Sequence, residues 1–551
     1  MSRAEWLAGE ARFIARGASE AVRFLREVAS VPPSPVIRAD ALSQLLEEVV
    51  LLQMDAILPL GHSTKIRSVC GLLAEMAANT LSQASASDLA SARRAVRAAS
   101  SGEARPPFVL DTFAGLRLAL DGATIALASS GSHAFATCQA ARWLRQAGVA
   151  EARVKCWVAA DISAYKLQQL HALGAEVEQS PDFSDAEAAA LNFARTRQRC
   201  GERVLFMPTD PADRWWCAPL FNHKDGAPGF ATAVIEAVSA LERHGGRSVG
   251  ERILYLPTSG GATWASCLGY LHRVGTLIPG PPVRVVAVDH EAARPVHASL
   301  ASRSLVENYP IASGTTPING LTQRSMSPYA FALADALALE PDEAVRSVSL
   351  AAAKLAQLLI LGETGVLPEV AGAATLGMRL NELARRHADF AGRITICLAQ
   401  LGVSELHQKL VAISNDDLAS LGLPNQLFAS PVTKPPPPAT PSFETTSLHL
   451  VSGGNAHQVI TSRAVAQLTA LTEKNDEEAW TEQEFAQAAC LAFACRYADP
   501  ISDPALPDGL LPALDARLAT VQAPGDDYAL GLRLIRSRLS ETMDIRSRPP
   551  L

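Results

Sequence analysis

Residues 51–76 read LLQMDAILPLGHSTKIRSVCGLLAEM and decide how the chain is interpreted. A mostly apolar run gives way to Pro59, Gly61 and Ser63, and then to Lys65 at the head of a stretch with helical apolar spacing, so the segment predicts strand, turn and helix in succession. A lysine in that first turn lies beside the positive end of a helix, which disfavours its charged form, and an amine held partly neutral is what Schiff-base chemistry requires. A surface lysine in an ordinary first turn has the same local pattern. The assignment therefore depends on the rest of the chain.

The same strand-to-helix design recurs three times. In TIALASSGSHAFATCQAARWLRQAG (124–148) a buried strand runs into Ser129-Ser130-Gly131-Ser132-His133, where hydroxyls and backbone N–H groups converge at a helix start suited to an anion or carboxylate. In ILYLPTSGGATWASCLGYL (253–271) the strand ends at Ser259-Gly260-Gly261-Ala262-Thr263, and two glycines let backbone approach a phosphate closely. A last strand, Ser447–Val451, ends in Ser452-Gly453-Gly454. Each of these is also compatible with a plain turn.

Working outward, Ala123–Ala128, Arg153–Val158, Val204–Met207, Arg252–Leu256 and Val283–Val288 read as strands alternating with amphipathic helices. Such alternation predicts an α/β fold with doubly wound parallel sheets. Residues 1–49 read as a helical lead-in, with one helix over 3–30 stopped by Pro32-Pro33. The α/β body is expected over 50–390 and 443–457, with a polar helical insertion at 79–108. Residues 391–442 form a further insertion ending in the polyproline run SPVTKPPPPATPS (430–442), and 458–551 read as a helical extension whose leucine stripes need a surface to dock on.

The 551 residues allow about three domains. A composition of 48% hydrophobic and 19% charged residues, with 35 glycines and 35 prolines, excludes wholesale disorder and collagen-like repeats. The net charge of −7 and the lack of a dense basic run argue against a nucleic-acid partner. Nine scattered cysteines without a C-x-x-C suggest no metal site and no disulfide scaffold, which fits a cytoplasmic location. The charged N-terminus and the absence of any long uncharged apolar stretch predict neither a signal peptide nor a membrane span.

Taken in order, the four segments resemble the fold type II (tryptophan synthase β-like) pyridoxal-phosphate enzymes, and most closely the D-serine dehydratases. The resemblance covers roughly 45–385 and 444–470, and includes KLQQLHALGAEVEQ (166–179) and ETGVLPEVAGAATLGM (363–378). It implies two doubly wound parallel-sheet subdomains, to which the C-terminal helical extension would be appended. It implies pyridoxal 5'-phosphate as cofactor, bound as a Schiff base on Lys65, the catalytic residue. It also implies cofactor contacts from Ser132, from Ser259, Gly260, Gly261, Ala262 and Thr263 around the phosphate, and from Ser452 at the ring nitrogen. Ser129, Ser130, Gly131, Ser132 and His133 would bind the substrate. Ser132 stands where the family has asparagine, and Val370 where it has proline.

The activity implied is β-elimination from a small hydroxy-amino acid such as D-serine, releasing a 2-oxo acid and ammonia. β-Replacement on the same fold, or a non-catalytic paralogue with a regulatory or interaction role, are the alternatives. The expected partner is a small amino acid, and the expected assembly is a monomer or homodimer.

Overall fold

The apolar runs pair into two sheets. A computed structural model of the chain describes residues 2–99, 105–160, 162, 164–207, 226–244, 250–311, 318, 320–321, 323–401, 411, 413–424, 445–452, 486–487 and 490. The larger sheet has the spatial order β1 (Val36–Arg38), β2 (Val49–Met54), β10 (Thr446–Val451), β7 (Arg252–Pro257), β8 (Val283–His290) and β9 (Val345–Val348). Only the edge pair β1–β2 is antiparallel. The smaller sheet is wholly parallel, in the order β5 (Glu176–Ser180), β4 (Arg153–Ala159), β3 (Thr124–Ser129) and β6 (Val204–Phe206). Helices cover these sheets, giving the expected α/β class with two parallel-sheet layers.

Strand β10 has the most consequence for the site. Thr446–Val451 lies between Val49–Met54 of β2, roughly four hundred positions earlier in sequence, and Arg252–Tyr255 of β7, roughly two hundred earlier. All six of its residues are buried, as a central parallel strand demands. Two of its polar members, Ser447 and His449, have side-chain contacts, whereas Thr446 Oγ1 makes no hydrogen bond of good geometry among the described residues. Ser447 Oγ donates to Glu48 Oε1 at 2.9 Å, and Glu48 is paired with Arg379 at 2.9 Å. The His449 ring stacks on Tyr255 with centroids 5.0 Å apart. Burial and the nearby Arg379 push the His449 pKa down to about 3, so this ring is neutral inside the sheet.

Several boundaries differ from the sequence reading. The first helix runs over Arg3–Arg23 and continues as one π-helical turn, Phe24–Val28, ending short of residue 30. Residues 1–49 also contain β1 and the helix Asp40–Leu46. A three-residue strand is too short to show an alternation, and β1 is fixed only by pairing with β2. The stretch 79–108 holds the end of the helix Lys65–Gln83 and the helix Ala86–Ala99, whose Ala92 and Val96 are buried. The proline-rich run and, apart from Ala486, Gln487 and Cys490, the segment 458–551 lie outside the described residues. Ala486 and Cys490, four apart, are buried in the core beneath the larger sheet with Phe390 and Ile394. Among the described residues no helix is long and apolar enough to cross a membrane.

The end of β8 yields a pH prediction. Asp289 is buried, its carboxylate makes no hydrogen bond of good geometry among the described residues, and Arg294 Nε lies 3.8 Å away. Burial pushes its pKa up to about 8, against a smaller opposing pull from Arg294. The folded chain therefore keeps a proton that the unfolded chain, with a carboxyl pKa near ~3.9, has released, so stability falls as pH rises from about 4 towards 8. Asp289→Asn removes this ionisation. Its thermal midpoint is expected to exceed that of the parent by about 1 °C per kcal/mol at pH 8, the scaling for a chain of this length, and to converge with it near pH 4. Midpoint profiles that stay parallel across the range would contradict the assignment.

Candidate active site

Three of the four segments meet because β2, β10 and β7 are neighbours in the larger sheet and run in the same direction. Parallel strands deliver their C-terminal turns to one edge. Lys65 is the first residue of the helix Lys65–Gln83, after Thr64. Ser452, just past β10, accepts hydrogen bonds at its Oγ from Thr64 N–H at 3.2 Å and from Thr64 Oγ1 at 3.1 Å. Lys65 N–H donates to Ser63 Oγ at 3.2 Å, and Lys65 Nζ lies 5.1 Å from the centroid of the Phe230 ring.

Lys65 is fixed from two residues further along its helix. Arg67 is buried, and its Nη2 and Nε donate to Asp55 at 2.8 and 2.9 Å, its Nη1 to Thr232 at 2.9 Å, and its Nη2 also to Ser34 at 2.7 Å and Glu236 at 2.5 Å. Burial opposes the guanidinium charge, but Asp55 and Glu236 outweigh it and hold the group firmly protonated. These contacts tie the lysine helix to the end of β2 and to the helix Ala227–His244, which carries Phe230. The two helices also approach closely at glycines: a Cβ on Gly71 would lie 2.8 Å from the Gly229 Cα.

The fourth segment comes from the smaller sheet. Ser129 ends β3, and its Oγ accepts from Gly131 N–H at 2.9 Å and Ala134 N–H at 3.0 Å, so this hydroxyl closes the turn. Gly131 has φ +123°, in the region glycine favours, and a Cβ there would lie 2.5 Å from Lys166 Cδ. Ser130 and Ser132 are half-buried at the surface of the turn. His133 is buried, and burial together with the charge of Lys65 pushes its pKa down to about 3. The Met207 backbone opposes that shift, yet neither ring nitrogen makes a hydrogen bond of good geometry among the described residues. The His62 and Phe135 rings, with centroids 5.6 Å apart, join the helix after this turn to the lysine segment.

At the end of β7, Gly261 (φ +93°) precedes the helix Ala262–Val274, and no side chain caps that helix. N–H groups at such a helix start can bind an anion. The turn is held from outside: Ser259 Oγ accepts from Gln323 N–H at 3.0 Å, and the Gly260 carbonyl from Ser327 N–H at 2.8 Å. Ala262 is buried and Thr263 half-buried beside it.

Residues 29–398, more than half of the chain, match the family of pyridoxal-phosphate dependent enzymes. The chain belongs to that family. Among solved structures, this family member is similar to diaminopropionate ammonia lyase from Escherichia coli (16% identity, TM-score 0.48, covering 80% of this chain and 89% of that one). It is also similar to an L-serine ammonia-lyase from Rhizomucor miehei (18%, 0.45, 77% and 94%) and to serine racemase from Dictyostelium discoideum (13%, 0.45, 80% and 98%). No curated protein matches its sequence.

The residues present fit pyridoxal phosphate. A lysine at a helix start, a helix N-terminus without a side-chain cap behind a glycine turn and a hydroxyl bonded to Thr64 are an amine, a set of N–H groups and a hydroxyl of the kinds this cofactor can use. Sequence reasoning missed Phe230, the Arg67 cluster and Gly372, because their neighbours are distant in the chain. Gly372 is unusually constrained: a Cβ there would lie 1.6 Å from the Ser452 carbonyl oxygen. Gly372→Ala must displace Ser452, and we expect cofactor affinity to fall about tenfold, or ~1.4 kcal/mol, within the usual cost of overpacking. Titrating dialysed protein with pyridoxal phosphate checks this; unchanged affinity in the folded variant would remove Ser452 from the cofactor site.

Proposed function

We propose that the chain is an ammonia-lyase that removes the β-hydroxyl of a small hydroxy-amino acid, D-serine first, giving a 2-oxo acid and ammonia. The observation that carries this reading is the Ser452 hydroxyl bound to Thr64, immediately before Lys65. With Thr64 donating both bonds, Ser452 keeps its own O–H to give. A hydroxyl there leaves a pyridine nitrogen uncharged, which suits a reaction whose leaving group departs before carbanion charge accumulates.

Bound pyridoxal phosphate supplies the ring that accepts the electrons left when the α-proton departs. The protein's residues supply the rest. Lys65 Nζ would hold the cofactor and is the group placed to take the α-proton as general base. Ser130, Ser132 and the N–H groups of the 129–133 turn hold the carboxylate, while Ser129 keeps that turn closed and His133 backs it as a neutral ring. Gly260, Gly261, Ala262 and Thr263 bind the phosphate with Ser259 anchoring their turn. The β-hydroxyl leaves as water with the proton that Lys65 took from the α-carbon, and addition of water to the enamine product releases the 2-oxo acid and ammonia.

A panel of D- and L-serine and D- and L-threonine, assayed for 2-oxo acid and ammonia, tests the proposal. Release of both from one of them supports elimination. Turnover of an activated serine only when a thiol is added would replace it with β-replacement, and silence of cofactor-loaded protein in both assays would point to a non-catalytic role.

A further inference from the structure

The turn expected to hold the substrate carboxylate packs against a lysine that forms an ion pair with a residue beside the larger sheet. Lys166 belongs to the helix Ala164–Ala172, which lies between β4 and β5 of the smaller sheet. Its stem lies across Gly131, where a Cβ would come within 2.5 Å of Lys166 Cδ and 3.3 Å of Cε. Its ammonium reaches Glu369 Oε1 at 3.1 Å. Glu369 is the residue immediately before the helix Val370–Arg386, which packs beside β10 and whose Gly372 abuts the Ser452 backbone.

A continuous path therefore runs from Ser129-Ser130-Gly131 through Lys166, Glu369, Gly372 and Ser452 to Thr64 and Lys65. It bridges the two sheets at the face where the four segments meet. The two side chains are 20% and 25% exposed, enough to keep the charges solvated and too little for the pair to be a loose surface contact.

We infer that Lys166 and Glu369 act as a coupled pair of positioning residues, setting the Gly131 turn against Ser452 and Lys65 so that carboxylate and cofactor groups keep one spacing. Neither is a catalytic residue. The inference rests on the reading of the 129–133 turn as the carboxylate site only for its effect on substrate; its effect on the turn stands separately. Mispositioning by a fraction of an ångström is enough to weaken such a site.

A double-mutant cycle on the full-length, cofactor-loaded protein tests it. The variants are Lys166→Met, which keeps most of the stem without the charge, Glu369→Gln, their combination, and Lys166→Arg as the conservative replacement. Two quantities are read: amide hydrogen exchange of the peptide covering 129–137, and the apparent affinity for D-serine and for L-serine from the change in cofactor absorbance.

Each single variant is expected to speed exchange in that peptide about fivefold and to weaken serine binding by a similar factor, with the double variant no worse than either single and Lys166→Arg close to the parent. Exchange unaltered in both singles, or effects that multiply in the double variant, would overturn the coupling. Coupled exchange with unaltered serine affinity would keep the positioning role and reject the carboxylate reading. If Lys166→Met does not fold, Glu369→Gln and Lys166→Arg decide the same question, since the inference requires the first to disturb the turn and the second to spare it.

Discussion

Lys65→Ala protein is expected to fold, to lack the absorbance of a lysine-bound cofactor and to show no borohydride-reducible chromophore. Its turnover of any amino acid processed by the parent should fall by at least ~10²–10⁴, the range for removing a positioned general base. The reason lies in the placement: Lys65 starts its helix beside Ser452 and near His133, at the edge where three neighbouring strands end. Removing the side chain leaves the Arg67 cluster untouched, so a thermal midpoint close to the parent's should accompany the loss. A variant that still reduces with borohydride would assign the cofactor to another lysine.

Arg67→Met should do the opposite, acting on stability first. The variant leaves Asp55, buried with Ser34, and Glu236 without the cation that compensates them. Breaking a buried pair from one side costs about 3–5 kcal/mol, because the remaining charge is stranded in a poorly solvated place. We expect the denaturant midpoint of the cofactor-free protein to fall accordingly. Arg67→Lys should recover little, since a single ammonium cannot serve Asp55 on two atoms while also reaching Thr232, Ser34 and Glu236. Wild-type stability in Arg67→Met would show that the cluster does not seat the lysine helix.

Local pattern sufficed for the strands and turns that carry the candidate residues. The strands before Lys65, Ser129, Ser259 and Ser452 were legible as apolar runs ending in Ser and Gly, because a central parallel strand is buried on both faces. Gly131 and Gly261 were legible for a similar reason: each occupies a backbone conformation that glycine adopts without strain. Residue type alone was less informative at Ser129, whose oxygen caps its own turn rather than standing open.

The features that escaped the sequence depend on pairings across long separations. Nothing in the run TSLHLV at 446–451 says that this strand lies between β2 and β7. Nothing in Lys166 points to Glu369, or in Gly372 to Ser452, since each is ordinary in its own window. Arg67 sat in plain view next to Lys65, but its two carboxylates lie just after β2 and on a helix about 170 positions later. Tertiary packing decided these contacts.

The most direct measurement is to reduce the cofactor-loaded protein with borohydride, digest it and locate the pyridoxyl mass by sequencing the labelled peptide. The expected result is a label on Lys65. A label on Lys155, Lys166, Lys354 or any other lysine, or no label on protein shown to bind pyridoxal phosphate, would contradict it.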